Sequence, residues 1–309
     1  MARMRHMAHR TVGKPEDDGG HGAQVRSREM DQEELTARER VLGLLDGREV
    51  DRVACFSGTG TVWGPALAEH GCRFHAVHLS GELMAKVASY PALAFGYECA
   101  VVPFDVCVEA ESLGCEINTF AHADRPVYPN LCRRIIVSET EMESFRPPRG
   151  ITDRGRMRVV TAAIHLLKEA LGNRVAVGSY VLGPYTLAGQ IMEIHSLMRF
   201  TMRRQDKLND LLARLAEVII EVCALYEAAG ADYLCVREMG ATADILPPAL
   251  FASLVKPHLR TVLESLHVPS VLHICGNSLP LVPMMLDCGA AAVSVENRSR
   301  LAETRAVAG

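Results

Sequence analysis

Val53-Ala54-Cys55-Phe56-Ser57-Gly58-Thr59-Gly60-Thr61 runs from a short apolar stretch straight into a glycine turn, and the glycine this turn lacks decides the fold. Five further apolar, β-branched runs follow at 98–104, 175–182, 231–237, 269–275 and 290–296, with helical stretches between them. Strands that are apolar almost throughout, alternating with helices, indicate a parallel sheet covered on both faces. Such a sheet closes either as an open, doubly wound sheet or as a (β/α)8 barrel. The doubly wound form carries G-x-G-x-x-G after its first strand, and Ser57–Thr61 has no third glycine at that spacing. The pattern therefore predicts an α/β chain of (β/α)8 TIM-barrel type, of which six strands are visible before the sequence stops. On this reading the barrel is truncated after its sixth strand.

Working outward, Leu208, Leu211, Leu212, Leu215, Val218, Ile219 and Val222 keep a 3.6-residue period and predict a helix over 207–229, with Gly230 as its stop. Thr36-Ala37-Arg38-Glu39 has capping-box spacing and marks the start of the folded part. Residues 1–35 show no apolar periodicity and are expected to form a flexible extension, leaving 36–309 as an incomplete barrel domain. The proline-rich span 121–150 does not fit a βα repeat and is expected to be an inserted hairpin or lid at the C-terminal face, where barrels build their active sites.

Composition excludes several classes of function. Hydrophobic residues make up 49% and charged residues 23% of 309, a globular balance, and the net charge of −4 offers no field for a nucleic-acid backbone. No run reaches the roughly 20 apolar residues of a membrane span, and the basic start lacks the apolar core of a signal peptide. These features predict a cytoplasmic protein that binds neither nucleic acid nor membrane. The ten cysteines are scattered, with no spacing that reads as a disulfide framework.

The chemistry concentrates in His273-Ile274-Cys275-Gly276-Asn277. Side chains alternate along a strand, so His273 and Cys275 face the same way near its C-terminal end. An imidazole and a thiolate so placed make half of a tetrahedral zinc site. Twelve His and ten Cys in one chain make a chance His-x-Cys pair an ordinary event, so the strand-end placement carries the argument. Glu296 ends the next strand at the same height and is a candidate third ligand, or else a hydrated strand-end carboxylate. Cys288 falls at the opposite end and reads as structural. Asp105 and Glu238 stand at strand ends as catalytic candidates; Asp105 could equally cap the following helix, and of Arg237 and Glu238 at most one can point inward. Tyr180 and Tyr185 lie near the mouth as candidate cofactor contacts, with packing as the plain alternative, and Asn277 joins them beside the His-Cys pair.

Four segments together are similar to the uroporphyrinogen decarboxylase superfamily: Arg38 to Arg52, Val102-Pro103-Phe104-Asp105-Val106-Cys107 on to Cys115, Gly183-Pro184-Tyr185-Thr186-Leu187-Ala188, and His273 to Asn277. Within it they most resemble the corrinoid-dependent branch, of the methylcobalamin:coenzyme M methyltransferase type, over about 36–309. The resemblance implies a zinc held by His273, Cys275 and a later cysteine, with Glu296 available when substrate is absent. It also implies a methylated corrinoid carried by a partner protein as methyl donor, and a thiol such as coenzyme M, or tetrahydrofolate, as acceptor. The later cysteine would follow the eighth strand, which this sequence does not reach; Cys107 and Cys235 are the substitutes to test. An open barrel edge would favour association into a homo-oligomer. Two alternatives stand beside this reading. One is a decarboxylase, for which Asp105 matches the catalytic position but no arginine follows the first strand. The other is a non-catalytic homologue that binds a corrinoid protein.

Overall fold

The computed structural model describes residues 35–308; the extension expected over 1–35 lies, but for Leu35, outside the described residues. Five strands form one parallel sheet in the order β1 (Cys99–Val102), β4 (Ala176–Leu182), β5 (Tyr233–Arg237), β6 (Ser270–Ile274) and β7 (Ala292–Val295). Each crossover carries helices, as a parallel barrel requires. The 24-residue helix Gln205–Ala228 buries all seven residues of the expected apolar stripe. Between β1 and β4 an antiparallel hairpin is inserted, β2 (Glu116–Asn118) with β3 (Asn130–Arg133), so the excursion begins a few residues before the expected 121.

One of the six expected strands is not a strand. Residues 53–57 run beside β1, and the Cys55 carbonyl accepts from Glu98 N at 2.9 Å. The other ladder positions are taken by side chains: Cys55 N donates to the Glu98 carboxylate, and Ser57 N donates to Cys99 Sγ at 3.2 Å. The apolar run is there, but one backbone bond to Glu98 N, with a carboxylate and a thiol taking the Cys55 and Ser57 N–H groups, does not make it a strand.

Alternation along the strands sorts their residues into two layers. Cys99, Val101, Ala176, Tyr180, Tyr233, Cys235 and Val271 face a shared interior, closed at the N-terminal ends of the strands by Val41 and Leu45 of the helix Ala37–Leu45. Ala100, Val102, Val177, Val181, Leu234, Val236, Leu272 and Ile274 face the surrounding helices. The closing helix is tied down by ion pairs from the Arg38–Arg52 segment. Arg38 bonds Asp232 at 2.7 Å, and the fully buried Arg40 bonds Asp51 at 2.6 and 2.7 Å and also the Glu98 carboxylate. Glu98 thus holds both the closing helix and the 53–57 segment against β1. No helix among the described residues is long and apolar enough to cross a membrane.

Gly178 makes room for Tyr233, its register partner on β5. A Cβ at 178 would stand 2.4 Å from Tyr233 Cζ, and that ring cannot retreat because it is fully buried and its hydroxyl donates to Ser57 O at 2.5 Å. Gly178→Ala is therefore expected to cost about 1–3 kcal/mol by overpacking. Urea unfolding of the single variant and of Gly178→Ala combined with Tyr233→Leu measures this; a single-variant loss below about 0.5 kcal/mol, within ordinary surface-mutation noise, would contradict it.

Candidate functional site

The register of three strands builds the site. Arg237 of β5 pairs with His273 of β6, which pairs with Ser294 of β7, so these side chains form one interior layer near the C-terminal ends of the strands. Just beyond the strand, Cys275 adds the next inward position. His273 Nε2 lies 3.1 Å from Cys275 Sγ, and its Nδ1 lies 2.9 Å from Ser294 Oγ. With the ring proton on Nδ1 donated to Ser294, Nε2 presents its lone pair to the thiol. Burial, and then the charge of Arg237, push the imidazole below its ordinary pKa, which keeps it neutral. Burial pushes the half-exposed Cys275 thiol up, and Arg237 opposes that shift.

Gly276 turns the chain out of the strand with φ of +69°, and a Cβ there would meet Thr242 Oγ1 at 2.6 Å. Its N–H donates to Glu296 Oε2 at 3.0 Å, and Asn277 N donates to Asp244 Oδ2 at 3.0 Å. Glu296 is thus held one backbone amide away from the His-Cys pair, on the wall of a cleft of about 330 Å3 also lined by Asp244, Asn277, Arg298 and Arg300. The structure brings His273, Cys275, Glu296 and Asn277 to one end of the barrel. The imidazole and thiol suit half of a tetrahedral zinc site. Among the described residues, no three His, Cys, Asp or Glu groups stand close enough together to hold a metal, and Glu296 has its Oε2 on the Gly276 amide.

The two substitute thiols are in the wrong places. Cys235 faces the interior but is level with Val271, two residues and about 7 Å down the strand from the height of His273. Cys107 caps the helix Val108–Ser112 and donates to Pro129 O at 3.4 Å. Burial pushes both thiols up to about 12, so neither is a ready ligand. Cys288 is buried in the helical layer, where its thiol donates to Met284 O at 3.2 Å.

The remaining candidates hold the frame of the site. Asp105 is buried, with every oxygen engaged: Oδ2 meets His78 Nδ1 at 2.8 Å and Arg156 Nη1 at 2.7 Å, while Oδ1 accepts from Arg156 Nη2 and Cys107 N at 3.0 Å each. Burial opposes its ionisation, and the bonds from His78 and Arg156 more than offset it, holding the carboxyl down at about 2. Tyr180 packs inside the barrel and donates to Asp105 O at 2.9 Å, and the Arg237 guanidinium lies 4.8 Å over its ring. Tyr185 belongs to the outer layer, bonded to Thr201 Oγ1 at 2.9 Å, because the helix Pro184–Ile191 turns it away from the interior.

Of the adjacent pair at the end of β5, Arg237 points inward. Glu238 is buried beneath the N-terminus of the helix Pro184–Ile191, where it accepts from Tyr185 N at 3.0 Å, Thr186 N at 2.7 Å and the Thr186 hydroxyl. Burial raises its carboxyl to about 7 against these bonds. Gly183 leaves it the room, since a Cβ there would stand 2.3 Å from Glu238 Oε2. The Gly-Pro-Tyr-Thr turn is thus the receptor of a buried carboxylate. Sequence reasoning did not reach His78, Arg156 or Ser294. Only Ser294 had a usable signal, its place one strand over from His273 and two residues before Glu296.

The uroporphyrinogen decarboxylase (URO-D) family model matches residues 36–309. The methylcobamide:CoM methyltransferase MtaA of Methanosarcina barkeri is 29% identical over 270 residues, 86% of this chain and 77% of that protein. The corresponding enzyme MtbA of Methanosarcina mazei is 27% identical over the same shares. A solved methyltransferase from Methanosarcina mazei superposes with a TM-score of 0.84 at 30% identity, covering 89% of this chain and 81% of the other.

The Asp105 cluster yields a sign for pH dependence. Its carboxyl is held below the ordinary value near 3.9, so its stabilisation is fully present above about pH 4 and is lost as the pH falls through about 2. Arg156→Met leaves a buried carboxylate without its cation and is expected to cost about 3–5 kcal/mol at neutral pH. That penalty should shrink on acidification as Asp105 becomes protonated. Denaturant unfolding at pH 7 and pH 3 measures both, and a penalty that does not shrink toward pH 3 would contradict the assignment.

Proposed function

The chain belongs to the uroporphyrinogen decarboxylase family, on its corrinoid methyltransferase branch, and we propose that it moves a methyl group from a methylated corrinoid, carried by a partner protein, to the sulfur of a small thiol. The observation that carries this reading is the convergence of His273 Nε2 and Cys275 Sγ, 3.1 Å apart, at the barrel mouth. Metal-free decarboxylation has no use for such a pair, whereas metal-assisted activation of a thiol does.

His273 and Cys275 would hold a zinc ion, with Glu296 as the nearest carboxylate, and the ion would supply the Lewis acidity that turns an incoming thiol into a thiolate. With Ser294 accepting from Nδ1–H, His273 would offer the Nε2 lone pair rather than N–H to the site. Arg237 beside the pair favours the neutral imidazole and the anionic sulfur together. The methyl carbon then bonds to sulfur as the cobalt–carbon bond breaks, and its electron pair stays on the cobalt of the donor. Coenzyme M, the acceptor in the relatives' names, is the first thiol to test, with tetrahydrofolate beside it.

The test is decay of the methylcobalamin spectrum after reconstitution with zinc, in the presence of 2-mercaptoethanesulfonate or tetrahydrofolate. Transfer to the thiol is expected, with at least a hundred-fold loss in Cys275→Ala. Ser294→Ala should weaken zinc binding roughly 10–100-fold, as removal of a partner behind a ligating His does. Unchanged transfer in Cys275→Ala would refute the site. Neither zinc binding nor transfer in the intact protein would leave a non-catalytic homologue as the better reading.

A further inference from the structure

Several buried ion pairs among the described residues brace the barrel, and Arg237 at the site belongs to none of them. Arg156 is matched by Asp105 and Glu111, Arg40 by Asp51 and Glu98, and Asp232 by Arg38 and Lys168. Arg237 points into the same interior, and no carboxylate among the described residues is within ion-pair distance of it. Its Nε is buried without a hydrogen-bond partner, and its guanidinium is laid on the Tyr180 ring at 4.8 Å. Tyr180 is itself fixed, since it is fully buried and donates to the Asp105 carbonyl. A half-buried cation, oriented by stacking and left without its anion, is costly unless something arrives to complete it.

Its position says what that is. Arg237 is the register partner of His273, and neighbouring strands stand about 4.8 Å apart. A molecule whose sulfur lies at the His273–Cys275 pair therefore brings an atom two or three bonds further along to the guanidinium. That geometry matches a short thiol with a negative charge at its other end, which the planar Arg fork can bind with two hydrogen bonds. We propose that Arg237, held by Tyr180, is the specificity-determining anchor for the anionic group of a short thiol acceptor. The inference rests on the reading of this site as a thiol methyltransferase.

Two measurements separate the anchor from that reading. Methyl transfer from methylcobalamin is followed with 2-mercaptoethanesulfonate, 3-mercaptopropionate, neutral 2-mercaptoethanol and cationic cysteamine, in the zinc-reconstituted protein and in Arg237→Gln and Arg237→Lys. In parallel, calorimetry follows binding of ethanesulfonate, which has the anion and no thiol. The intact protein should prefer both anionic thiols over the neutral one, and cysteamine should be the poorest. Arg237→Gln should raise KM for the anionic thiols about ten- to hundred-fold more than it raises KM for 2-mercaptoethanol, whatever common loss of kcat all the thiols share through the Arg237 charge beside His273 and Cys275. Arg237→Lys should recover part of the loss, and ethanesulfonate binding should weaken in parallel. Equal losses on charged and neutral thiols, or ethanesulfonate binding unaffected by Arg237→Gln, would overturn the anchor. If the intact protein methylates none of the thiols, the methyltransferase reading fails; ethanesulfonate binding that depends on Arg237 still supports an anion site there, and binding that does not refutes it.

Discussion

Everything at the mouth of this barrel depends on the register of β5, β6 and β7. Parallel pairing places Arg237, His273 and Ser294 at one height, and the two-residue period of a strand then raises Cys275 just above them. A shift of one residue in any of these ladders would send the imidazole or the guanidinium into the helical layer. The chemistry is thus fixed by backbone hydrogen bonds rather than by a mobile loop, and strand-mounted groups are held more closely than loop-mounted ones.

The frame beneath this layer is secured by polar groups that are buried and satisfied. Asp105 ties β1 to the helix Met157–Leu171 through Arg156 and supports Tyr180 through its carbonyl. Glu238 ties β5 to the start of the helix after β4. Glu98 and Arg40 tie the closing helix to the edge of the sheet. Each is a group whose burial alone would be destabilising; the three carboxylates are matched by donors from elements distant in sequence, and Arg40 by the Glu98 and Asp51 carboxylates. Such matched sets specify which elements pack together, in a way that an apolar core of interchangeable Leu and Val cannot. Against that background Arg237 is distinctive, because its guanidinium is laid on the Tyr180 ring and its buried Nε has no hydrogen-bond partner.

Much of this was legible in the chain, and the parts that were not share one physical reason. Alternation within a strand is local, so the common direction of His273 and Cys275, and the place of Glu296 beside them, followed from spacing alone. The parallel sheet and the stripe of the helix Gln205–Ala228 are likewise written in local period. The part played by Asp105 depends on His78 and Arg156, respectively 27 and 51 residues away, and no local pattern announces such a partner. Glu238 had the right residue type at a strand end, but its target is a pair of backbone amides at Tyr185 and Thr186. Tyr185 was placed near the mouth, yet the helix that starts at Pro184 rotates it outward. The 53–57 run had strand composition, and a carboxylate took the position of its neighbouring strand. Inward against outward for Arg237 and Glu238 was undecided until the register was known.

The central claim is that His273 and Cys275 form the metal-holding, thiol-activating centre of a corrinoid-dependent methyltransferase. The most direct test is the metal content of the intact protein and of Cys275→Ala, by plasma mass spectrometry before and after dialysis against a mild chelator. The account predicts about one zinc per chain in the intact protein, retained through dialysis, and little or none in the variant. No zinc in the intact protein, or full occupancy in Cys275→Ala, would contradict it.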